Sequence, residues 1–173
     1  MITASFLTNT LLQKFPRTVH VWDIATKTWF AQSTTIDRGL YPPNETISHC
    51  SIVASAEDNS SHNIYLSIVE TGNLGRDFKV YILTLPAFRW VLVYESLQND
   101  WSIGGGGCLK VHEKHKVIYR GFAPDICDND KDSGKFQGMW IYDMSSLTWT
   151  TKVELKNQKY LVPEVLHTII GGK

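Results

Sequence analysis

Tryptophan recurs at nearly constant spacing along this chain, and a fixed-period repeat limits the fold more tightly than any local preference does. Three stretches carry it: Val21-Trp22-Asp23 leading to Trp29, Ile82-Leu83-Thr84 leading to Trp90, and Ile141-Tyr142-Asp143 leading to Trp149. Each of these tryptophans stands six residues after a polar Asp or Thr, and they are 61 and then 59 residues apart. Alternating segments precede them, Val19-His20-Val21, Lys79-Val80-Tyr81-Ile82 and Met139-Trp140-Ile141, and alternation predicts strands. Turn formers follow the polar residue, in Ala25-Thr26-Lys27, Pro86-Ala87 and Ser145-Ser146. Each unit is therefore a predicted β-hairpin whose second strand carries the tryptophan.

A further strand pair precedes the second and third hairpins: His49 to Ser55 with Asn63 to Val69, and Cys108 to His112 with Lys116 to Gly121. The loop from Ala56 to His62 is long and polar, whereas Glu113-Lys114-His115 reads as a charged hairpin tip. Four strands, then four strands, with a period near fifty to sixty, is the pattern of a β-propeller, in which each sheet buries its faces against two neighbours.

These residues resemble the kelch repeats of the galactose oxidase/kelch superfamily. A kelch blade carries a diglycine closing its second strand, a Tyr and an Asp on the third, and a Trp six residues later on the fourth. Tyr142, Asp143 and Trp149 match; Trp22, Asp23 and Trp29 match with Trp for Tyr; the middle unit keeps Tyr81 and Trp90 but has Leu83-Thr84 at the Tyr-Asp slot. The diglycine slots fall at Ile68-Val69 and Arg120-Gly121, so Gly121 alone remains. The wording of Asn63-Ile-Tyr-Leu, Val80-Tyr-Ile-Leu-Thr-Leu-Pro and Tyr160-Leu-Val-Pro-Glu-Val is similar to kelch-repeat proteins of filamentous fungi. The resemblance covers roughly residues 19 to 172 and implies a rigid scaffold with function in its loops.

The expected architecture is all-β: a partial kelch-type propeller over 18–160, comprising a half blade at 18–33 and four-stranded blades at 47–94 and 107–153. Four blades of about fifty residues need roughly two hundred residues, so the chain is too short to close a propeller. An open end leaves an apolar sheet face uncovered, and self-association through it is expected. Over 161–173, Val162, Val165, Leu166, Ile169 and Ile170 follow helical spacing behind Pro163, which predicts a short helix from Pro163 to Ile170. Residues 1–17 are rich in Thr, support neither helix nor strand clearly, and lack the early positive charge of a signal peptide.

Composition removes several function classes. Seventeen Lys plus Arg balance seventeen Asp plus Glu, so the electrostatic footprint of a nucleic-acid binder is missing. The longest apolar runs are strand-length, so no transmembrane segment is expected. The three cysteines are far apart, and Cys50, with alternating apolar neighbours, reads as a core residue.

Candidate sites resolve mostly into scaffold. Trp29, Trp90 and Trp149 are expected to pack one blade on the next, whereas Trp101 stands outside the repeat and is the candidate partner contact. The acidic loop from Asp125 lacks the Gly and Glu of a calcium loop, and residues 125–137 are expected to be the most mobile interior loop. His112-Glu113-Lys114-His115 is one residue short of a zinc motif, and Gly104 to Gly107 lacks the Lys-Ser/Thr of a phosphate loop. No catalytic residue, metal or cofactor is expected. Asn44-Glu45-Thr46 and Asn59-Ser60-Ser61 match the N-glycosylation pattern and lean towards a secretory origin of full-length relatives. The expected function is a non-enzymatic module presenting inter-strand loops to a protein partner; the alternatives are a remnant of a galactose-oxidase-like propeller enzyme or a non-functional gene fragment.

Overall fold

Alternation of side chains across a pleated strand decides which residues each sheet can bury. In the computed structural model, the described residues are 2–4, 17–43, 48–72, 75–95, 108–112, 115–120, 139–150 and 159–170. They form strands and one short helix. Strands β1 (Ile2–Ala4), β2 (Thr18–Asp23) and β3 (Thr28–Ser33) make an antiparallel sheet in the order β1-β2-β3. A second sheet contains β4 (Thr35–Arg38), β5 (Ser48–Ser55), β6 (His62–Gly72), β7 (Gly75–Leu85) and β8 (Arg89–Glu95), ordered β4-β8-β7-β6-β5. The third contains β9 (Cys108–His112), β10 (Lys116–Arg120), β11 (Met139–Asp143) and β12 (Thr148–Thr150), ordered β12-β11-β10-β9. Helix α1 (Glu164–Ile170) follows Pro163, as its apolar spacing predicts. Each sheet is open, and none closes on itself among the described residues.

The middle sheet is covered on both faces. Ile64, Leu66 and Ile68 of β6 join Tyr81, Leu83, Leu85 and Trp90 in one cluster, which Val19 and Val21 of β2 complete. On the opposite face, Tyr65, Val69, Phe78, Val80, Ile82 and Val91 meet Val117, Tyr142 and Met144 of the third sheet, together with Tyr160 and Leu166. Two-sided burial explains why β6 and β7 read as nearly continuous apolar runs rather than strict alternation. Each fully buried large side chain stabilises this stack by about 1.5–3 kcal/mol. The diglycine slot at Ile68-Val69 lies inside this packing, with both residues at most 3% exposed.

Two strands escaped the sequence reading. Ile2–Ala4 pairs with β2, from Ile2 opposite Asp23 to Ala4 opposite Val21. The segment after β3 does not leave the sheets but turns into β4, which runs parallel to β8 and makes a five-stranded sheet where four strands were expected. Thr34 anchors that crossing: its N–H and its hydroxyl both donate to the Arg17 carbonyl, at 2.7 and 3.0 Å. Gly39 ends it with φ of +83°, and a Cβ there would stand 2.7 Å from the Cβ of Leu92, so only glycine fits under β8.

Of the expected charged tip before β10, Glu113 and Lys114 lie outside the described residues, and His115 is not an exposed tip residue. His115 and the first residue of β10, Lys116, are buried, at 1% and 7% exposure, and the Met144 N–H donates to the His115 carbonyl at 2.7 Å.

Candidate interaction surface

The first and third repeat hairpins share one turn chemistry. Asp23 Oδ1 accepts from the N–H groups of Ala25 and Thr26, at 2.8 and 3.4 Å, and Asp143 Oδ1 accepts from Ser145 and Ser146, at 2.9 and 3.0 Å. A short polar side chain that bonds its own backbone two residues on specifies such a turn. These bonds, led by that from Ala25, hold the Asp23 carboxyl below its ordinary 3.8. Hydroxyl pairs stand at equivalent places, Thr26 with Thr28 at 2.8 Å and Ser146 with Thr148 at 2.7 Å.

The residue two before each tryptophan is left-handed in all three hairpins, with φ of 54° at Lys27, 54° at Phe88 and 57° at Leu147. The middle hairpin replaces the Asp with Thr84, whose carbonyl accepts from the Phe88 N–H at 2.7 Å.

This shared geometry puts the tryptophans in the same place on each sheet. Trp29 lies opposite Trp22, Trp90 opposite Leu83, and Trp149 opposite Tyr142. Tyr81 is thus not the partner of Trp90; it stands two residues earlier on β7 and meets it edge-on at 6.5 Å. Burial raises the Tyr81 phenol to about 12.

What covers each tryptophan differs. Trp90 is 2% exposed within the cluster shared with Val19 and Val21 of the first sheet, and its Nε1 donates to Thr34 Oγ1 at 3.2 Å. Trp149 packs on Tyr142 at 4.6 Å and on Phe78 and Tyr94 of the middle sheet at 5.8 and 5.3 Å. Each of these two therefore faces the preceding sheet. Trp29 was expected to pack in the same way and does not: it is 51% exposed and meets the Trp22 ring at 5.2 Å. The residue after the turn's polar position repeats the contrast, Leu85 and Met144 being buried while Ile24 is 44% exposed. Trp22, Ile24 and Trp29 form the apolar surface that, in the other two sheets, a neighbouring sheet covers.

The sequence reading missed a buried polar latch. Tyr65 donates its hydroxyl to the Met144 carbonyl at 2.6 Å and lies 3.0 Å from the Tyr160 hydroxyl, to which Asn63 Nδ2 also donates at 3.1 Å. It ties the middle sheet to the third and to the segment leading into α1. Burial raises the Tyr65 phenol well above its ordinary 10.0, which keeps it a donor. Only the apolar character of Tyr65 and Tyr160 was legible, since partners some 95 residues apart leave no local signal. Tyr65→Phe is expected to lower stability by about 1–3 kcal/mol, by leaving the Met144 carbonyl unpaired. An unchanged urea midpoint would remove the latch from the account.

Two further places carry groups with reactive or ligating chemistry. Cys50, read as a core cysteine, is disulfide-bonded. A cleft of about 810 Å³ lies between the β5–β6 turn and α1, lined by Glu57, Asp58, Tyr160, Glu164 and His167 among others. Glu57 is paired with Lys159, and among the described residues no three His, Cys, Asp or Glu side chains converge as a metal site requires. Asn44, Trp101, Gly104 to Gly107, Gly121 and the loop 125–137 lie outside the described residues.

Stacked sheets whose hairpins carry a left-handed residue and a tryptophan at equivalent places define an all-β repeat protein. The chain is similar to a kelch repeat-containing protein of Arthroderma benhamiae, 24% identical over an alignment of 179 positions that takes in 89% of this chain. It spans about a quarter of that relative's length. No protein-family profile matches the chain. The kelch resemblance carried by the hairpins is thus shared with a fungal kelch-repeat protein.

Proposed function

We propose that the chain is a non-enzymatic protein-interaction module, a part of a kelch-type propeller with two four-stranded blades and a half blade. Its inter-strand loops face a protein partner, and the Trp22–Trp29 face of the first sheet seats another sheet of the same kind. The exposure of Trp29 carries this reading: equivalent in position to Trp90, it is 51% exposed where Trp90 is 2% exposed. A contiguous apolar face of this sort finds a partner. In the isolated chain the available occupant is a second copy, so the chain is expected to self-associate, and to stay soluble when further blades are supplied on the same polypeptide.

Light scattering tests the proposal. The unaltered chain should form oligomers, whereas Trp29→Lys should shift it towards monomer that still unfolds in a cooperative transition. A stable monomer with a cooperative transition in the unaltered chain would sink the reading.

A further inference from the structure

We infer that Asn59 carries an N-linked glycan and that the chain folds in an oxidising compartment of the secretory pathway. The inference is independent of what the Trp22–Trp29 face binds. Its first support is the sequon Asn59-Ser60-Ser61, which falls on the turn between β5 and β6, where residues 57–60 are all exposed. Asn59 adopts φ of 57°, a conformation that asparagine tolerates well, and its N–H donates to the Ala56 carbonyl at 3.0 Å. Ser60 is held by Asp58, whose Oδ1 accepts from its N–H at 2.9 Å and from its hydroxyl at 2.6 Å. The hairpin tip can therefore carry a bulky polar group without disturbing either strand.

The second support comes from Cys50, on the strand leading into that turn. Its disulfide belongs to compartments where thiols are kept oxidised, since cytosolic reductants remove most such bonds. These compartments include the one in which N-glycosylation takes place. A sequon alone arises by chance, and a disulfide alone says nothing of Asn59; together they put an exposed acceptor in the right surroundings.

In the transfer, the Asn59 carboxamide nitrogen attacks the anomeric carbon of an oligosaccharide carried on a polyprenyl pyrophosphate. The C–N bond forms as the bond from that carbon to the pyrophosphate oxygen breaks, one amide proton is lost, and the polyprenyl pyrophosphate leaves. Ser61 is 3% exposed in the folded chain, so the sequon must be read before the hairpin closes.

The test uses protein from its own cells, digested without reduction by trypsin and a glutamyl protease, which release the peptide 58–70. Peptide N-glycosidase in 18O water should convert Asn59 to labelled Asp. The label should vanish in Asn59→Gln and in Ser61→Ala and persist in Ser61→Thr, and Cys50 should be recovered in a disulfide-linked peptide. Unlabelled Asn59 overturns the proposal whether or not Asn44 is modified, and recovery of Cys50 as a free thiol overturns it equally.

Discussion

Trp90→Ala is expected to destabilise the chain by about 3–5 kcal/mol, because removal of a buried large aromatic loses its transfer energy and leaves a cavity. The ring is 2% exposed, lies edge-on to Tyr81 at 6.5 Å, and uses its Nε1 to hold Thr34 at the crossing into β4. One substitution thus loosens both the contact between the first two sheets and the strand that extends the second. At the equivalent position of the first sheet, Trp29→Ala should cost less than about 1 kcal/mol when both chains are dilute enough to be monomeric, in the range of exposed substitutions. Urea unfolding followed by circular dichroism compares the two variants. Equal losses would mean that the two tryptophans are covered alike, and the account of the open face would fail.

Cys50→Ser is expected to cost about 2–5 kcal/mol, the usual consequence of removing a native disulfide from a small domain. Cys50 lies on β5, the outer strand of the middle sheet, and β5 lies against β9 of the third. A reductant should therefore lower the unfolding midpoint of the unaltered chain and leave that of Cys50→Ser where it is. If the reductant lowers both by the same amount, the stabilisation does not come from the bond at Cys50.

The repeat was legible because its signals are local. A polar residue opening the turn, turn formers behind it and a tryptophan six positions on all lie within one hairpin, so a stretch of a few residues reveals them, whereas the left-handed backbone at Lys27, Phe88 and Leu147 left no mark in the residue types. The helix was legible for the same reason, its apolar stripe and Pro163 lying within a few residues of one another. Cys50 shows the limit. Its alternating neighbours on β5 read correctly as strand, yet nothing beside it in sequence announces a thiol far away in the chain.

Sequence alone determined the all-β character, the hairpins and their turns, and the helix that ends the described residues. Tertiary structure decided what lies across from each face. It alone buried Trp90 while exposing Trp29, drew His115 under Met144, added β4 in parallel to β8, and joined Tyr65 to Tyr160. The physical reason is that turn chemistry and periodicity act over a few bonds, whereas burial depends on whether a second surface arrives. Similar local patterns at Trp29 and Trp90 therefore meet different fates, because one sheet stands before Trp90 and none among the described residues stands before Trp29.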